Sequence, residues 1–244
     1  VVENSPEDTI CNYIKQNYPW VQVIKNENNG FGEGNNTGAK AAKGKYLLFL
    51  NPDTVFVEPI FKFATDKFEL DSNLALFGVK LVNRDLTGNM SFYNMDRYGI
   101  LYFQFIKLCN LFDIYIDGKM FIAGADLFVK KADFIACGMF DEKIFMYNEE
   151  PDLTKRLRSK KKKTAYYKDK KIIHLMSQTI TKDAALRKRL VSLKYYCDKY
   201  GNNFTKIINS YLIYEYMKMI IFFFVNKTKF KTSKDVIMIY KEFK

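Results

Sequence analysis

The 244-residue chain predicts an α/β protein: a mixed, mostly parallel sheet flanked by helices, with a C-terminal helical extension. Three observations carry that prediction. Strand-like and helix-like segments alternate through the first two-thirds of the sequence. Residues Tyr46–Leu50 form an unbroken apolar run, as expected of a strand covered on both faces. From Lys182 onward, Leu186, Leu190 and Leu193 recur at helical spacing.

The elements follow in order. Val1-Val2 reads as a strand running into the polar turn Glu3-Asn4-Ser5-Pro6. A strand at residue one predicts that a preceding first strand is missing from this chain. Residues 9–18 have helical periodicity stopped by Pro19, and residues 21–24 read as a short strand. Residues 30–38 read as a Gly/Asn loop, followed by a short helix over 37–43 that ends at Gly44. After the 46–50 strand come a helix over 59–70 and a strand over 74–82. Residues 83–94 suggest a hairpin with Gly88 at its tip, whereas 95–117 resist assignment. A strand over 121–129 is broken by Ala123-Gly124-Ala125, and Pro151 suits the first turn of a helix to about residue 160. Strands over 164–167 and 172–174 precede the helical remainder. The expected division is a domain over residues 1–201 and an aromatic, basic extension over 202–244.

Composition narrows the partners. The 48% apolar content excludes a disordered chain, and 39 Lys+Arg against 27 Asp+Glu give a net charge of +12. Such charge fits nucleic acid, anionic lipid or a phosphorylated substrate. No motif of base-stacking aromatics interleaved with lysines is evident, so nucleic acid is not expected. Cys11, Cys109, Cys137 and Cys197 are scattered, which points to a reduced compartment and away from a thiolate zinc site. The apolar stretch 211–225 is interrupted by Glu215 and Lys218, which suits an interfacial helix, or equally a helix packed on the domain or a partner subunit, better than a span.

Several residues could carry chemistry. Asn51-Pro52-Asp53 places a carboxylate just beyond a buried strand, where open α/β sheets bind ligands and where Mg²⁺ or Mn²⁺ would find a hard oxygen donor. An ordinary strand-to-helix turn capped by Asp53 fits the same residues. The Gly-rich stretch 29–38 could cradle an anion or serve as a structural turn. Glu149-Glu150-Pro151-Asp152 crowds carboxylates at a helix start, and Glu150 there is a candidate general base. His174 is the chain's single histidine and closes an apolar strand. The basic set Arg187-Lys188-Arg189 with Lys194 could neutralise a diphosphate.

In order along the chain these segments read V-V-E-N-S, N-N-G-F-G-x-G-N-N-x-G, L-N-P-D-T, A-G-A-D-L-F-V, G-M-F-D-E-x-I-F-M-Y-N-E-E-P-D-L and I-I-H. The series resembles the inverting family-two glycosyltransferases of GT-A fold (a Rossmann-like fold), in particular their rhamnosyltransferase-like group, over roughly residues 1–201. The resemblance implies a metal-dependent enzyme that moves a sugar from a UDP- or dTDP-sugar to a saccharide acceptor, lipid-linked, in bacterial surface polysaccharide synthesis. It implies Glu150 as base with Glu149 beside it, and Asp53 and His174 on Mg²⁺ or Mn²⁺. It places Glu3, Asn29, Gly30, Asn36, Asn51, Asp53, Gly124, Ala125, Arg189 and Lys194 around the nucleotide sugar. A cytoplasmic location on the inner face of the membrane follows, with an anionic membrane surface as a further partner. Two departures stand out: Glu150 replaces the family's usual Asp, and the first strand is missing. Both also suit a catalytically inactive scaffold of the same fold.

Overall fold

The structure is a computed structural model and describes residues 1–95, 99, 101–175 and 181–244. The first strand β1 (Val2–Glu3) pairs in parallel with β2 (Ile24–Lys25), and helix α1 (Thr9–Asn17) connects them. Next come α2 (Phe31–Ala41), β3 (Tyr46–Leu50), β4 (Thr54–Phe56), α3 (Phe61–Leu70) and β5 (Leu74–Val82). A small antiparallel pair, β6 (Phe92–Asn94) and β7 (Met120–Ile122), brackets α4 (Tyr102–Leu111). The chain continues through β8 (Asp126–Lys130), α5 (Lys131–Ala136), α6 (Glu149–Ser159) and β9 (Lys163–His174). Helices α7 (Lys182–Tyr200), α8 (Phe204–Val225) and α9 (Lys227–Glu242) complete it.

The main sheet has the order β3-β8-β5-β9-β4. It is mixed, as expected, but only β5 and β9 pair in parallel within it. Strand β8 runs antiparallel between β3 and β5, and β4 runs antiparallel to β9. Thus β3, β5 and β9 all point the same way, and their carboxyl ends share one edge. Strands β3 and β4 are the two outer strands, yet only Asn51, Pro52 and Asp53 separate them. Four residue steps span at most ~14 Å, less than the ~19 Å that four strand spacings cover in a flat sheet, so the sheet curls at its carboxyl edge.

Period-two burial covers both faces. Leu47, Phe49, Leu76, Leu127 and Val129 face one core with Leu153 and Leu157 of α6. Leu48, Phe77, Val79 and Phe128 face the other with Ala64 and Phe68 of α3, where the rings of Phe77 and Phe128 stack at 4.8 Å. A third core joins Leu190, Leu193 and Cys197 of α7 to Ile207, Ile208 and Tyr211 of α8 and Ile237 and Tyr240 of α9. The helical core therefore draws on α7, ahead of residue 202. All four cysteines are buried and unbridged.

The Gly/Asn stretch differs most from expectation. It is helix α2, not a loop. Its glycines work by lacking side chains: a Cβ at Gly32 would meet Phe140 Cβ at 3.0 Å, one at Gly34 would meet Asn4 at 2.8 Å, and one at Gly38 would meet Val2 at 3.2 Å. Close packing against three neighbours outweighs the low helix propensity of glycine. The two short strands expected over 164–174 are one strand, irregular in register between Val79 and Lys80 of its partner.

Asp126 is fully buried at the start of β8, paired in register with Leu50. Its Oδ2 accepts from Val79 N–H at 2.7 Å, and burial pushes its carboxyl well above the usual range. With the folded pKa above the unfolded one, the neutral acid is tolerated below the unfolded value near ~4 and costs stability as pH rises from there. Asp126→Asn keeps the acceptor and removes the ionisation. It should raise Tm at pH 8 by roughly 2–4 °C, about what 1 kcal/mol gives in a chain of this size, and leave Tm at pH 4 unchanged by thermal melts.

Candidate active site

The carboxyl edge of the sheet gathers Asn51, Asp53, Gly124, Ala125, Glu150 and His174. Thr54 pairs with His174 across β4 and β9, and the Leu175 amide donates to the Asp53 carbonyl at 2.9 Å. This register sets the His174 Nε2 atom 3.4 Å from Asp53 Oδ1 and 3.5 Å from Asn51 Nδ2. Thr54 Oγ1 donates to the Asn51 carbonyl at 2.7 Å and tightens the turn. On the opposite side, the Asn51 amide donates to the Ala125 carbonyl at 3.0 Å. Its neighbour Gly124 lies directly under Glu150: a Cβ there would overlap Glu150 Oε1 and stand 3.2 Å from its Cδ. One stretch of backbone, 124–125, therefore meets both the Glu150 carboxylate and the turn that carries Asn51 and Asp53.

Local backbone explains where Glu150 points. Tyr147 and Asn148 both adopt left-handed conformations, with φ of 69° and 80°. Asn tolerates this region; tyrosine does not, and the pair stores on the order of 1–3 kcal/mol of strain. The double reversal turns the chain into α6, whose first turn carries Glu149, Glu150 and Asp152. Only Glu150 is half-exposed. Asp152 is buried and spent on Arg156 at 2.6 Å, Lys199 at 2.6 Å and Tyr200 at 2.7 Å. Glu149 is only 2% exposed, which corrects its expected place beside the base: it offers no open carboxylate face to a substrate.

Gly30 joins this corner to α2. Its φ of 114° suits glycine, a Cβ would overlap the Phe145 carbonyl, and the Phe31 amide donates to that carbonyl at 2.8 Å. Asn29 is exposed just before it. Asn36 is corrected from ligand to brace. Its side chain is 1% exposed, donates to the Phe140 carbonyl and to Glu142, and accepts from the Phe140 amide at 2.9 Å. Glu3 closes its own turn, taking the Ser5 amide at 2.7 Å, within a polar cluster of Asn4, Asn26 and Glu33.

The basic residues of α7 divide. Arg189 lies 5.2 Å from the Tyr147 ring and Lys188 lies 4.6 Å from the Phe145 ring, both on the segment leading to Glu150. Lys194 instead lines a shallow cavity of about 400 Å³ with Glu242 and Phe243 of the last helix. Five residues along a helix turn a side chain by about 140°, so Arg189 and Lys194 cannot serve one site. The expectation for Lys194 is corrected on that ground. Lys188, rather than Lys194, shares with Arg189 the contact to the Phe145–Tyr147 segment.

Asp53 and His174 can hold a hard divalent cation. Two ligands at ~2.1 Å and a right angle stand about 3 Å apart, close to the 3.4 Å between their donor atoms. Among the described residues no third His, Cys, Asp or Glu completes a protein cage. A cation there would draw its other ligands from water and phosphate, the habit of Mg²⁺ at diphosphate sites.

Comparison with known proteins bears on the family and the fold. Residues 4–122 match the model of glycosyl transferase family 2. Rhamnosyltransferase WbbL of Escherichia coli (strain K12) is 28% identical over 177 residues, which covers 64% of this chain and 65% of that protein. Among solved structures, the mannosyltransferase PcManGT from Pyrobaculum calidifontis, in complex with GDP-Man and Mn²⁺, superposes with a TM-score of 0.57 at 12% identity. That match covers 96% of this chain and 63% of that one. GalNAc-T7 with UDP, GalNAc and Mn²⁺ gives 0.55 at 12% identity over 79% of this chain and 40% of its own. The chain thus spans less than two-thirds of each of these relatives. Residues 4–122 thus match family 2 glycosyltransferases, and the fold is that of the GT-A glycosyltransferases.

Proposed function

We propose that the chain transfers a sugar from a nucleotide-diphosphate sugar to a hydroxyl of a saccharide acceptor, in one inverting displacement. The observation that carries this reading is that residues 124–125 touch both Glu150, beside Gly124, and the Asn51-Asp53 turn, bonded at Ala125. Glu150, half-exposed above the bare Gly124, takes the acceptor proton. The freed oxygen forms the new bond to the anomeric carbon while the bond to the diphosphate breaks, and the electron pair leaves with the diphosphate. Asp53 and His174 would hold Mg²⁺ or Mn²⁺, which neutralises charge on the departing group. Lys188 and Arg189, held over Phe145 and Tyr147, supply fixed positive charge on the same side of the fold.

The name of the related rhamnosyltransferase favours a deoxyhexose donor; a dTDP- or UDP-sugar and a lipid-linked acceptor of a bacterial surface polysaccharide complete the proposal. A panel of UDP-, dTDP- and GDP-sugars, assayed with Mn²⁺ and with EDTA, tests the reading. Release of nucleoside diphosphate dependent on acceptor and on metal is expected; no turnover of any donor by the full-length protein rules it out. Asp53→Asn removes the charged ligand while His174 remains. It should raise the Mn²⁺ concentration for half-maximal rate about 10-fold, the loss typical of a weakened metal shell, as read from a metal titration of the rate.

A further inference from the structure

The third core leaves one end of the C-terminal helices uncovered. The first half of α8 is walled in: Ile207, Ile208, Tyr211 and Leu212 are buried against α7 and α9. Its second half is not. Ile213, Met217, Ile220 and Phe224 fall at i, i+4, i+7 and i+11, one stripe of a helix, and all are exposed, Phe224 by 82%. Ile221, Phe223 and Val225 widen the stripe at the tip. There α8 turns through Asn226 into α9, and Phe223 packs edge-on against Phe224 and Phe230.

Helix α4 repeats the pattern. Leu101, Phe105, Leu108 and Phe112 keep the same spacing along α4 and its caps, and all are exposed. The two helices lie side by side: Phe103 packs against the rings of Tyr211 and Tyr214, and Gln104 donates to the Tyr214 hydroxyl at 3.2 Å.

Charge identifies the occupant. Residues 219–234 contain Lys227, Lys229, Lys231 and Lys234, all exposed, and no acidic residue. Lys229 lies 5.3 Å from the Phe222 ring, so its ammonium sits at the border of the apolar tip. A two-fold contact with a second copy would set these lysines against their own images. Complete insertion of α8 would tear its buried half from the third core and carry Glu215, buried and paired with Lys218 at 2.8 Å, into hydrocarbon. An apolar ridge ringed by lysines suits an anionic bilayer surface, with the rings and aliphatic side chains below the headgroups and the ammonium groups among the phosphates.

We infer that the α8–α9 tip docks the protein onto the surface of a membrane rich in anionic lipid. The inference stands independently of the transferase reading, since a catalytically silent scaffold with this tip would dock equally well. It is tested by floating the full chain with phosphatidylcholine vesicles, with and without ~30% phosphatidylglycerol, at low and high salt. Co-flotation is expected only with the anionic vesicles and should weaken in high salt. The triple variant Lys227→Glu, Lys229→Glu, Lys231→Glu should lose at least ~10-fold in partitioning. Ile220→Ser with Phe224→Ser should lose a similar amount, with helicity by circular dichroism and nucleotide-sugar turnover unchanged in both. Failure of the parent chain to float with anionic vesicles overturns the inference, as does flotation indifferent to either variant. Light scattering that shows a dimer dispersed by Phe224→Ser, without vesicle binding, assigns the face to a second copy instead.

Discussion

Glu150→Gln is expected to lower kcat for sugar transfer by about 10³-fold, within the range for loss of a positioned general base. Glutamine has the same length and keeps a hydrogen-bonding head above Gly124, but it cannot carry away the acceptor proton. Donor binding should be untouched, because the groups proposed to meet the diphosphate, Asp53, His174, Lys188 and Arg189, are unaltered by this isosteric change. A calorimetric Kd for the nucleoside diphosphate equal to that of the parent, beside the fallen kcat, separates loss of chemistry from loss of structure. A kcat retained within a factor of two would remove Glu150 from its assigned role.

Gly124→Ala should cost about 10²-fold in kcat at nearly constant stability, and that pairing is its diagnostic. The added methyl overlaps Glu150 Oε1, the mobile end of a long side chain, so the fold yields by swinging the carboxylate aside. Gly124 is not among the residues of positive φ, so alanine brings no backbone strain. Displacement of a reacting group by ~1 Å can cost a factor of this size. Glu150→Asp in the same chain withdraws the carboxylate by one methylene and makes room for the methyl. The double variant should therefore recover part of the rate lost by Gly124→Ala, and a double-mutant cycle on kcat would measure that coupling. If Gly124→Ala melts several degrees lower, or the double variant loses rate additively, the contact is structural instead.

The same contact bears on the unusual Glu at this position. Its extra methylene needs space that a side chain at 124 would occupy, and the bare Cα supplies it. The sequence motif A-G-A could be recognised, but not the reason for its glycine, because that reason lies 26 residues further along the chain.

What was legible in the sequence was whatever depends on near neighbours. The apolar run Tyr46–Leu50 and the turn after it, the acidic start of α6 and the strand ending in His174 are local patterns, and the structure brings their ends to one edge. What was not legible depends on distant partners. Gly32, Gly34 and Gly38 read as loop residues because their use, fitting α2 against Phe140, Asn4 and Val2, is invisible without those neighbours. Asn36 read as a ligand because nothing local reveals that its amide is spent on Phe140. Arg189 and Lys194 read as one cluster, since sequence proximity conceals a 140° rotation. The antiparallel course of β8 within a largely like-directed sheet also rests on long-range pairing, with partners near residues 50 and 77.

The three-residue link between the outer strands also has a bearing on how the molecule folds. Strand β9 must enter between β5 and β4 before Thr54 can face His174, a pairing that closes about 120 residues of chain. Contacts of such separation pay their loop entropy before they return any energy, and they form late. During synthesis, Asp53 emerges long before the strand that will hold its partner. The meeting of Asp53 and His174 thus serves as a natural reporter of completion: no intermediate that lacks β9 can possess it.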